Sequence, residues 1–541
     1  MNVGIGLLDL IIIVIYFLVV MGIGFYFTRK ERTSAEYFLA GRNVAWWAIG
    51  ASLFATNISS EHFVGLAGSG AKSGLAVGHF EWLAVFCCLT LGWVFVPFYL
   101  RSRVFTMPEF LERRYGPASR WYLTTISIIA YVLTKVSVTL IAGSLLLEKV
   151  MGWDYVTSSI VLVVATGVYT VAGGLSAVIY TEVMQTIVLI GGAGLLTVLG
   201  LHEAGGWSGL VSKIDPGHFS MFKPVSHPDF PWTGIIFGAP ILGIWYWCTD
   251  QFIVQRVLSA QDEDNARSGA IFAGFLKILP VFIMVLPGII AAALYSDLLK
   301  NNPDSAYPVI VTHLLPTGAK GIVIAGLLAA IMSSLASCFN SCSTLFTMDV
   351  YKKMRRNPTE KELVTMGRIC TVIVVVLGVL WIPYTKQISD QLYVYLQSVQ
   401  AYISPPIAAC FIFGVFFNRL NGVGAISSLI LGFVLGAFRL ILELLYKNHT
   451  ALPGALEWLA SMNFLHFAIL LFVVCSIDLF VVSYLSQAPI REKIRGLTFS
   501  TVHEIAGAAP RAANPQRWVR ANIFLSILLA GTIFVLWFIF R

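Results

Sequence analysis

A membrane-length apolar segment, interrupted in its middle by a polar cluster, constrains this chain more than any other feature. The segment runs from Trp46 to Ala71, and between its apolar halves lie Thr56, Asn57, Ser59, Ser60, Glu61 and His62. Unpaired backbone groups are costly inside a bilayer, so a helix break there must face protein or a water-lined cavity. Secondary transporters use such breaks to present backbone carbonyls to a cation. A plain helix boundary with a polar loop is the alternative.

The composition places the chain in a membrane. Of its 541 residues 57% are hydrophobic and only 12% are charged, whereas soluble proteins are nearer half apolar and a quarter charged. Apolar runs of about 20 residues, the length that crosses the hydrocarbon layer, recur throughout. We predict an all-α polytopic membrane protein with about fourteen transmembrane helices, near 7–27, 45–70, 79–100, 121–148, 155–173, 179–201, 232–255, 268–295, 320–347, 364–385, 390–417, 422–445, 463–486 and 518–540.

The basic residues predict an orientation rather than a nucleic-acid partner. The net charge is +8, but Lys and Arg concentrate in alternate connecting segments, near 29–42, 101–120, 349–368 and 487–520. The positive-inside rule places these segments inside and both termini outside. The cysteines all lie in predicted spans, which favours packing over disulfides or a zinc site. No segment indicates an obligate protein partner.

A second interrupted span supports an internal repeat. It runs from Pro231 to Val257 and contains the consecutive polar and aromatic stretch Trp245–Gln251. It lies five spans after the first, and paired interruptions in halves of opposite orientation indicate an inverted-repeat transporter. We predict a single transporter domain over 1–541, divided into an extra N-terminal helix and inside loop (1–44), a first repeat (45–201), a second repeat (232–417) and three extra helices (418–541).

Ionisable residues within the predicted spans indicate function, because they are costly in a bilayer. They are Glu81, Lys135, Glu182, Asp250, Lys277, Arg439 and Glu443. Arg439 and Glu443 stand at i and i+4 on one helix, which favours a structural pair. Glu81 and Lys277 lie in spans next to the two interruptions. A buried ion pair that only holds helices together is the alternative for these two.

The polar groups near the interruptions match what a sugar requires. Each sugar hydroxyl donates one hydrogen bond and accepts up to two, while the ring presents an apolar face. Donors, acceptors and flat aromatic surfaces come from Glu81 and Lys277 together with Asn57, His62, Gln397, Tyr246 and Trp247. These groups predict a site for a polar, uncharged metabolite.

A polar stripe marks the span near 320–347. It consists of Ser333, Ser334, Ser337, Ser341, Ser343 and Thr344, mostly at helical spacing. Such hydroxyls in membrane helices often only bond their own backbone or assist packing. Beside a broken helix, two serine hydroxyls and three backbone carbonyls would instead form a neutral oxygen cage for sodium.

Long stretches of the chain resemble a known family. They are Gly50-ASLFATNIS, Glu61-HFVGLAGSGA, Phe80-EW, Phe105-TMPEFLERRY, Tyr169-TVAGGLSAVIYTEVMQT, Trp245-YWCTDQFIVQRVLSA and Ser343-TLFTMDVYKK. Over nearly its whole length the chain resembles the solute:sodium symporter family, and within it the sodium–glucose cotransporters. The resemblance implies a LeuT-like inverted repeat of five plus five helices, alternating access, and sodium-coupled import of a glucose- or galactose-like hexose.

The resemblance also implies site residues. Carried over position by position, the sugar site consists of Asn57, His62, Glu81, Lys277 and Gln397, with Tyr246 as the inner gate and Trp247 beside it. The co-transported sodium ion is bound by the carbonyls of Ala55, Ile58 and Ala330 and the hydroxyls of Ser333 and Ser334. The acidic residue on the sodium exit path corresponds to Glu182, where relatives usually have Asp.

Several positions bear on substrate, stoichiometry and source. His62 matches the animal glucose carriers, whereas Gln400 and Val394 depart from them. Relatives that couple two sodium ions have a hydroxyl where this chain has Ala336, so we expect one sodium per sugar. The segment 296–319 lacks the large cysteine-containing outside loop of the animal carriers, which favours a bacterial inner-membrane protein.

Other functions fit the sequence less well. The closest alternative is a sodium symporter for a polyol such as myo-inositol, or for another small polar metabolite. A membrane sensor would be expected to carry a cytosolic output domain, and a continuous sodium channel disagrees with the bulky Tyr246 and Trp247. No metal motif or nucleophile–base pair indicates an enzyme.

Overall fold

The structure is a computed structural model that describes residues 5–28, 33–300, 302–385, 392–449, 452–504 and 515–541. The chain is a bundle of helices, and the described residues form no β-strand. Parts of two predicted basic segments, 29–32 and 505–514, lie outside the described residues.

The first predicted interruption is present as a break between two helices. The chain begins with α1 Leu7–Thr28, α2 Ser34–Leu39, α3 Trp46–Asn57, α4 Ala67–Ser73, α5 His79–Thr90 and α6 Val96–Ser102. After α3 the backbone of Ile58 is extended, with φ −77° and ψ 111°, and a π-helical turn over His62–Leu66 leads into α4. The Ser60 hydroxyl donates to the carbonyl of Thr139 at 3.0 Å. The break therefore faces protein, as polar backbone at membrane depth must.

One bent helix carries two of the predicted spans. The chain continues with α7 Met107–Arg114, α8 Pro117–Ala130, α9 Ser137–Met151, α10 Tyr155–Ala204 and α11 Gly206–Lys213. A π-helical turn over Tyr131–Val136 joins α8 to α9. Within α10, Gly174 has φ 49° and ψ −150°, which glycine adopts without the penalty that a side chain would bring. The predicted spans 155–173 and 179–201 lie on either side of this bend.

The second predicted interruption falls at Asp250. Here the chain forms α12 Trp232–Phe237, α13 Ala239–Ile244, α14 Gln251–Leu258, α15 Glu263–Leu276 and α16 Leu286–Leu294. A π-helical turn over Trp245–Thr249 follows α13, and Asp250 is extended, with φ −78° and ψ 125°. The Asp250 carboxylate accepts from the backbone N–H of Phe252 at 3.2 Å and so caps α14. A side-chain acceptor at this position stabilises a helix that restarts after a break.

The remaining helices complete the bundle. They are α17 Ser296–Leu299, α18 Ala306–Leu314, α19 Ala319–Leu345, α20 Lys352–Met354, α21 Glu360–Thr385, α22 Leu392–Phe416, α23 Gly422–Lys447, α24 Gly454–Ser461, α25 Phe464–Leu485, α26 Arg491–Ile494 and α27 Pro515–Ile539. Among the described residues, 11 continuous helical stretches are long and apolar enough to cross a membrane. Tyr155–Ala204 is counted as one stretch although it covers two predicted spans, and the broken stretch 232–258 is not counted. The total of fourteen spans therefore stays a prediction.

The helix α19 lies at the centre of the bundle. Every residue from Val323 to Leu345 is buried, and α19 packs against α10, α3 and α1. In contrast, α27 exposes most of its apolar surface, including Phe524, Phe534 and Phe538, as a helix that faces lipid does. The polar stripe of α19 is therefore turned entirely toward protein.

Candidate functional site

The predicted sugar-binding residues all line one cavity. This central cavity lies among the α3–α4 break, α5, α13 and its π-helical turn, the end of α15, and α22, and its empty space, counted out to its mouth, is about 560 Å³. Its wall contains Asn57, His62, Glu81, Tyr246, Trp247, Lys277 and Gln397. The sequence separates these residues widely, and the fold brings them together.

A buried lysine connects two walls of the central cavity. Lys277 follows the last residue of α15, and its Nζ donates to Asn57 Oδ1 at 2.5 Å and to Glu81 Oε2. The other oxygen of Glu81 lies 3.5 Å from Nε2 of His62. The Lys277 side chain is only 1% exposed and the Glu81 side chain 3%. The Glu81–Lys277 ion pair, which the sequence left as an alternative, is thus present. Because desolvation offsets the attraction in a buried pair, its presence is weak evidence that the pair serves only to stabilise the fold.

Two aromatic side chains form the floor of the cavity. The Tyr246 hydroxyl accepts from Asn57 Nδ2 at 3.2 Å, and its ring lies 5.6 Å from the ring of Trp247, centroid to centroid. Lys277 Nζ lies 5.6 Å from the Trp247 ring centroid. The π-helical turn before Asp250 places both rings toward the cavity. An extra residue in a helical turn re-aims side chains in this way and often marks a functional site.

Other lining residues were not predicted as site residues. They include Glu61, Phe80, Tyr393 and Gln400. The rings of Phe80 and Tyr393 lie 5.8 Å apart at 78°, an edge-to-face contact. Tyr393 sits against Gly65, where an added Cβ would lie 2.7 Å from the Tyr393 Cβ. Sequence signals existed for three of them, because Glu61 adjoins His62, Phe80 adjoins Glu81, and Tyr393 stands one helical turn before Gln397.

A second, smaller cavity lies beyond Tyr246. It has a volume of about 320 Å³ and shares Asn57, Glu61, Tyr246 and Gln400 with the central cavity. Lys135 and Ser334 also line it. Tyr246 therefore stands between the central cavity and the serine stripe of α19.

The α3–α4 break meets the serine pair of α19. The Ser333 hydroxyl lies 2.8 Å from the carbonyl of Ala55 and 2.9 Å from that of Ala330. The Ser334 hydroxyl lies 3.3 Å from the carbonyl of Thr56. Ile58, the extended residue at the break, is buried. All these groups are neutral oxygen donors, which suit a hard cation such as sodium.

Glu182 is at the centre of a fully buried network next to the serine pair. Its Oε1 accepts from Ser337 at 2.5 Å, from Thr56 at 3.0 Å and from Arg256 Nη2 at 3.0 Å. Its Oε2 accepts from the hydroxyl of Ser52. Neither Glu182 nor Arg256 has any exposed side-chain surface. Ser337 lies one helical turn from Ser333, so this carboxylate adjoins the oxygen groups at the break.

Lys135, which is partly buried, and Asp250, which is buried, form a second ion pair next to the ring of Tyr246. Lys135 Nζ donates to Asp250 Oδ2 at 2.8 Å, and the Tyr131 hydroxyl donates to Asp250 Oδ1. The same ammonium lies 3.7 Å from the ring centroid of Phe252 and 4.6 Å from that of Tyr246, distances typical of cation–π contacts. The pair therefore links the π-helical turn of α8–α9 to the second break.

Broken helices around a central polar cavity define a multi-pass membrane transporter, and comparison with known proteins assigns the family. The chain belongs to the sodium:solute symporter family, whose sequence profile matches residues 37–432. It is 40% identical to sodium/glucose cotransporter 1 of Oryctolagus cuniculus over 522 residues, which are 88% of this chain and 79% of that protein. It is 41% identical to sodium/glucose cotransporter 4 of Homo sapiens, covering 92% of this chain and 79% of the other. These relatives are transporters rather than enzymes.

Solved structures confirm the LeuT-like all-α fold. A sodium-coupled sialic acid symporter in a substrate-bound outward-open state superposes with a TM-score of 0.75 at 22% identity, covering 89% of this chain and 99% of that one. A transporter of the nucleobase-cation-symport-1 family, closed around bromovinylhydantoin, superposes with a TM-score of 0.54 at 14% identity, covering 86% and 98%. At these identities the similarity concerns the fold alone.

Proposed function

We propose that this protein is a sodium-coupled symporter that imports a glucose- or galactose-like hexose by alternating access. The observation that carries the proposal is the central cavity, in which Glu81, Lys277 and Asn57 form one hydrogen-bonded group beside the ring of Tyr246. Membership of the sodium:solute symporter family and about 40% identity to sodium/glucose cotransporters support the same function.

In this proposal the residues of the central cavity offer a sugar different hydrogen-bonding groups. Glu81 accepts from sugar hydroxyls, Lys277 donates, and the amides of Asn57 and Gln397 do both. His62 is held beside Glu81 and adds a ring nitrogen to the same wall. Tyr246 covers the apolar face of the sugar and separates it from the second cavity, and Trp247 supports Tyr246 by an edge contact.

Sodium is the co-transported ion, and its site lies at the first break. We assign the carbonyls of Ala55, Ile58 and Ala330 with the hydroxyls of Ser333 and Ser334 as its ligands. In the structure the Ser333 hydroxyl already converges on two of these carbonyls. An ion there would tie α3 to α19 and favour the conformation in which the break shapes the sugar site, since a ligand shifts a conformational equilibrium by its differential affinity.

We further propose a stoichiometry of one sodium per sugar, with Glu182 on the sodium exit path. Ala336 offers a methyl group where a second site would need a hydroxyl. Ser337 is engaged by Glu182 and by Arg256. The Arg256 guanidinium is itself a buried cation against Glu182. A second sodium ion held at this carboxylate would meet like-charge repulsion, whereas a leaving ion only passes it.

The two breaks support the proposed repeat boundaries. Ile58 lies near the start of 45–201, and Asp250 lies near the start of 232–417. The first break directly follows α3 and precedes a π-helical turn, and the second directly follows a π-helical turn. We assign 1–44 and 418–541 as additions to these repeats, within one transporter domain.

We propose a bacterial inner-membrane location with both termini outside. The basic segments near 101–120 and 349–368 support the inside assignment of that end of the bundle. The shortness of 296–319 supports a bacterial source. Reporter fusions after residues 213 and 356 would test the orientation, because the two sites are assigned to opposite sides of the membrane.

A polyol such as myo-inositol is the second candidate substrate, since the same donors and acceptors would serve it. The experiment that separates the candidates is uptake into proteoliposomes of labelled hexoses and inositols, with sodium or choline outside. We expect sodium-dependent uptake of a hexose that excess unlabelled inositol does not inhibit. Sodium-dependent uptake of inositol alone would favour the second candidate.

A further inference from the structure

A large cavity lies on the other side of α22 from the central cavity. This flank cavity, about 1050 Å³ when counted to its mouth, is bounded by α22, α23, the end of α24, the start of α25 and the loop that contains Asp229. Val394, Ser398 and Tyr402 of α22 line it, whereas Tyr393, Gln397 and Gln400 of the same helix line the central cavity. It lies at the end of the bundle that we assign to the outside.

A buried guanidinium in the wall of the flank cavity has two nitrogens without a hydrogen-bond acceptor. Arg439 is only 2% exposed, and one nitrogen, Nη2, donates to the carbonyl of Met462 at 2.9 Å. Its Nε and Nη1 have no hydrogen-bond acceptor among the residues that the structure describes, although Nη1 lies 3.5 Å from the Glu443 carboxylate. Buried polar groups in native proteins are nearly always satisfied. Arg439 therefore keeps unused hydrogen-bond donors beside the flank cavity.

The charges around the flank cavity balance. Glu443 accepts from Lys447 Nζ at 2.8 Å and from the hydroxyl of Tyr402. The cavity wall contains Arg439 and Lys447 as cations and Glu443 and Asp229 as carboxylates. An anion would meet both carboxylates and a cation would meet both basic groups, whereas a neutral ligand with hydroxyl groups can accept from one set and donate to the other. The balance favours such a neutral ligand.

Aromatic side chains complete the wall. Tyr402, Tyr446 and Phe464 line the flank cavity, and the Arg439 guanidinium lies 5.4 Å from the Tyr402 ring centroid. Flat rings beside fixed donors and acceptors are the combination that covers a sugar ring and pairs its hydroxyls.

We propose that the flank cavity is a second binding site, for a neutral polyhydroxylated molecule of about disaccharide size. The site is distinct from the central cavity. Binding there does not depend on the proposed function. The consequence for transport does: because one helix carries residues of both cavities, occupancy of the flank cavity is expected to change the rate of hexose uptake without competing for the central cavity.

The test uses the purified full chain in lipid nanodiscs with sodium, and maltose as the probe in a calorimetric titration. Tyr446→Ala removes an aromatic wall, and Ser461→Trp fills the mouth; the matched control is Trp458→Ala, an exposed aromatic of α24 outside the cavity wall. We expect millimolar binding of maltose to the wild type and to the control. We expect binding to be about tenfold weaker in Tyr446→Ala, as loss of an aromatic contact predicts. In Ser461→Trp we expect binding to be at least as weak, because the indole occupies the space of the ligand.

Two further measurements make the result decisive. Gln397→Ala alters the central cavity, so it should leave maltose binding intact; loss of binding in this variant would assign maltose to the central cavity and overturn the proposal. No maltose binding to the wild type would overturn it as well, and so would saturable binding of inorganic phosphate or of anionic lipid vesicles in place of maltose. Sodium-driven hexose uptake, measured separately, reports on the proposed function whatever the maltose result.

Discussion

Gln397 is the cavity residue whose loss tests sugar binding with the least structural disturbance. Its side chain lines the central cavity and carries no charge, whereas truncation of Glu81 would leave Lys277 as a buried, uncompensated charge. Removing one partner of a buried pair is strongly destabilising in itself. A change at Glu81 would therefore mix folding with binding.

Gln397→Ala should weaken hexose uptake while the protein still inserts and folds. An unpaired hydroxyl in a water-shielded site costs about 1–3 kcal/mol, which corresponds to roughly a fivefold to hundredfold rise in the half-saturating hexose concentration. The measurement is concentration-dependent uptake in proteoliposomes, with Gln516→Ala, an exposed glutamine at the start of α27, as the control. Wild-type uptake in Gln397→Ala would show that the sugar binds elsewhere.

Tyr246 contributes a ring and a hydroxyl, and two substitutions separate them. Tyr246→Phe loses only the hydrogen bond from Asn57, so we expect uptake to fall by no more than about tenfold, the value of one neutral hydrogen bond. Tyr246→Ala also loses the face that covers the sugar and should fall much further. Initial uptake rates of both variants give the comparison. Equal losses would assign the role to the hydroxyl instead of the ring.

The individual site residues divide into those that the sequence could predict and those that it could not. Asn57, Glu81 and Lys277 were predictable because polar residues in apolar spans are conspicuous, and the structure brings them into contact. The contact between Arg256 and Glu182 was not predictable, because 74 positions separate the two residues and each lies in a stretch with several other polar residues. Which distant side chains meet depends on helix packing, which leaves no local pattern.

At the scale of the elements, α19 and the first break together hold the oxygen atoms of the proposed sodium site. Ser333→Ala removes a hydroxyl that faces the carbonyls of Ala55 and Ala330. We expect the sodium concentration for half-maximal uptake to rise by about tenfold, the effect of one lost ligand of about 1.4 kcal/mol. Sodium titrations of hexose uptake measure it.

Ser343→Ala is the matched control for this prediction. Ser343 is a buried serine on the same helix whose hydroxyl donates to a backbone carbonyl, that of Gly367, at 2.7 Å. Removing this hydroxyl costs the helix a similar hydrogen bond, but Ser343 lies away from the break. An equal shift in sodium dependence in both variants would contradict the assignment of Ser333 as a ligand.

The helical elements were predictable to different degrees. Both breaks follow from polar residues in otherwise apolar spans, and the structure has them at Ile58 and Asp250. The π-helical turns over His62–Leu66 and Trp245–Thr249 were not predictable. Both lie in segments that are buried on nearly all sides, so there is no amphipathic pattern in which one extra residue would appear as a change of phase. The continuity of α10 across Gly174 likewise reflects packing rather than composition.

At the scale of the whole molecule, the stoichiometry fixes how much sugar the protein can accumulate. We expect one positive charge to move with each hexose, because Ala336 provides no ligand and Arg256 already neutralises Glu182. Reversal potentials at varied sodium and hexose gradients measure the ratio. A slope that corresponds to two sodium ions per sugar would refute it, and Ser337→Ala would then be the first variant to examine.

The central claim, that a sodium gradient drives hexose import, is tested most directly by accumulation in proteoliposomes. A potential of about 100 mV supplies ~2.3 kcal/mol per charge, and a tenfold sodium gradient adds ~1.4 kcal/mol. At one sodium per sugar, these two terms together support roughly 500-fold accumulation of hexose. We predict accumulation above the outside concentration that collapses when choline replaces sodium. Uptake that reaches the same level in choline would contradict the account.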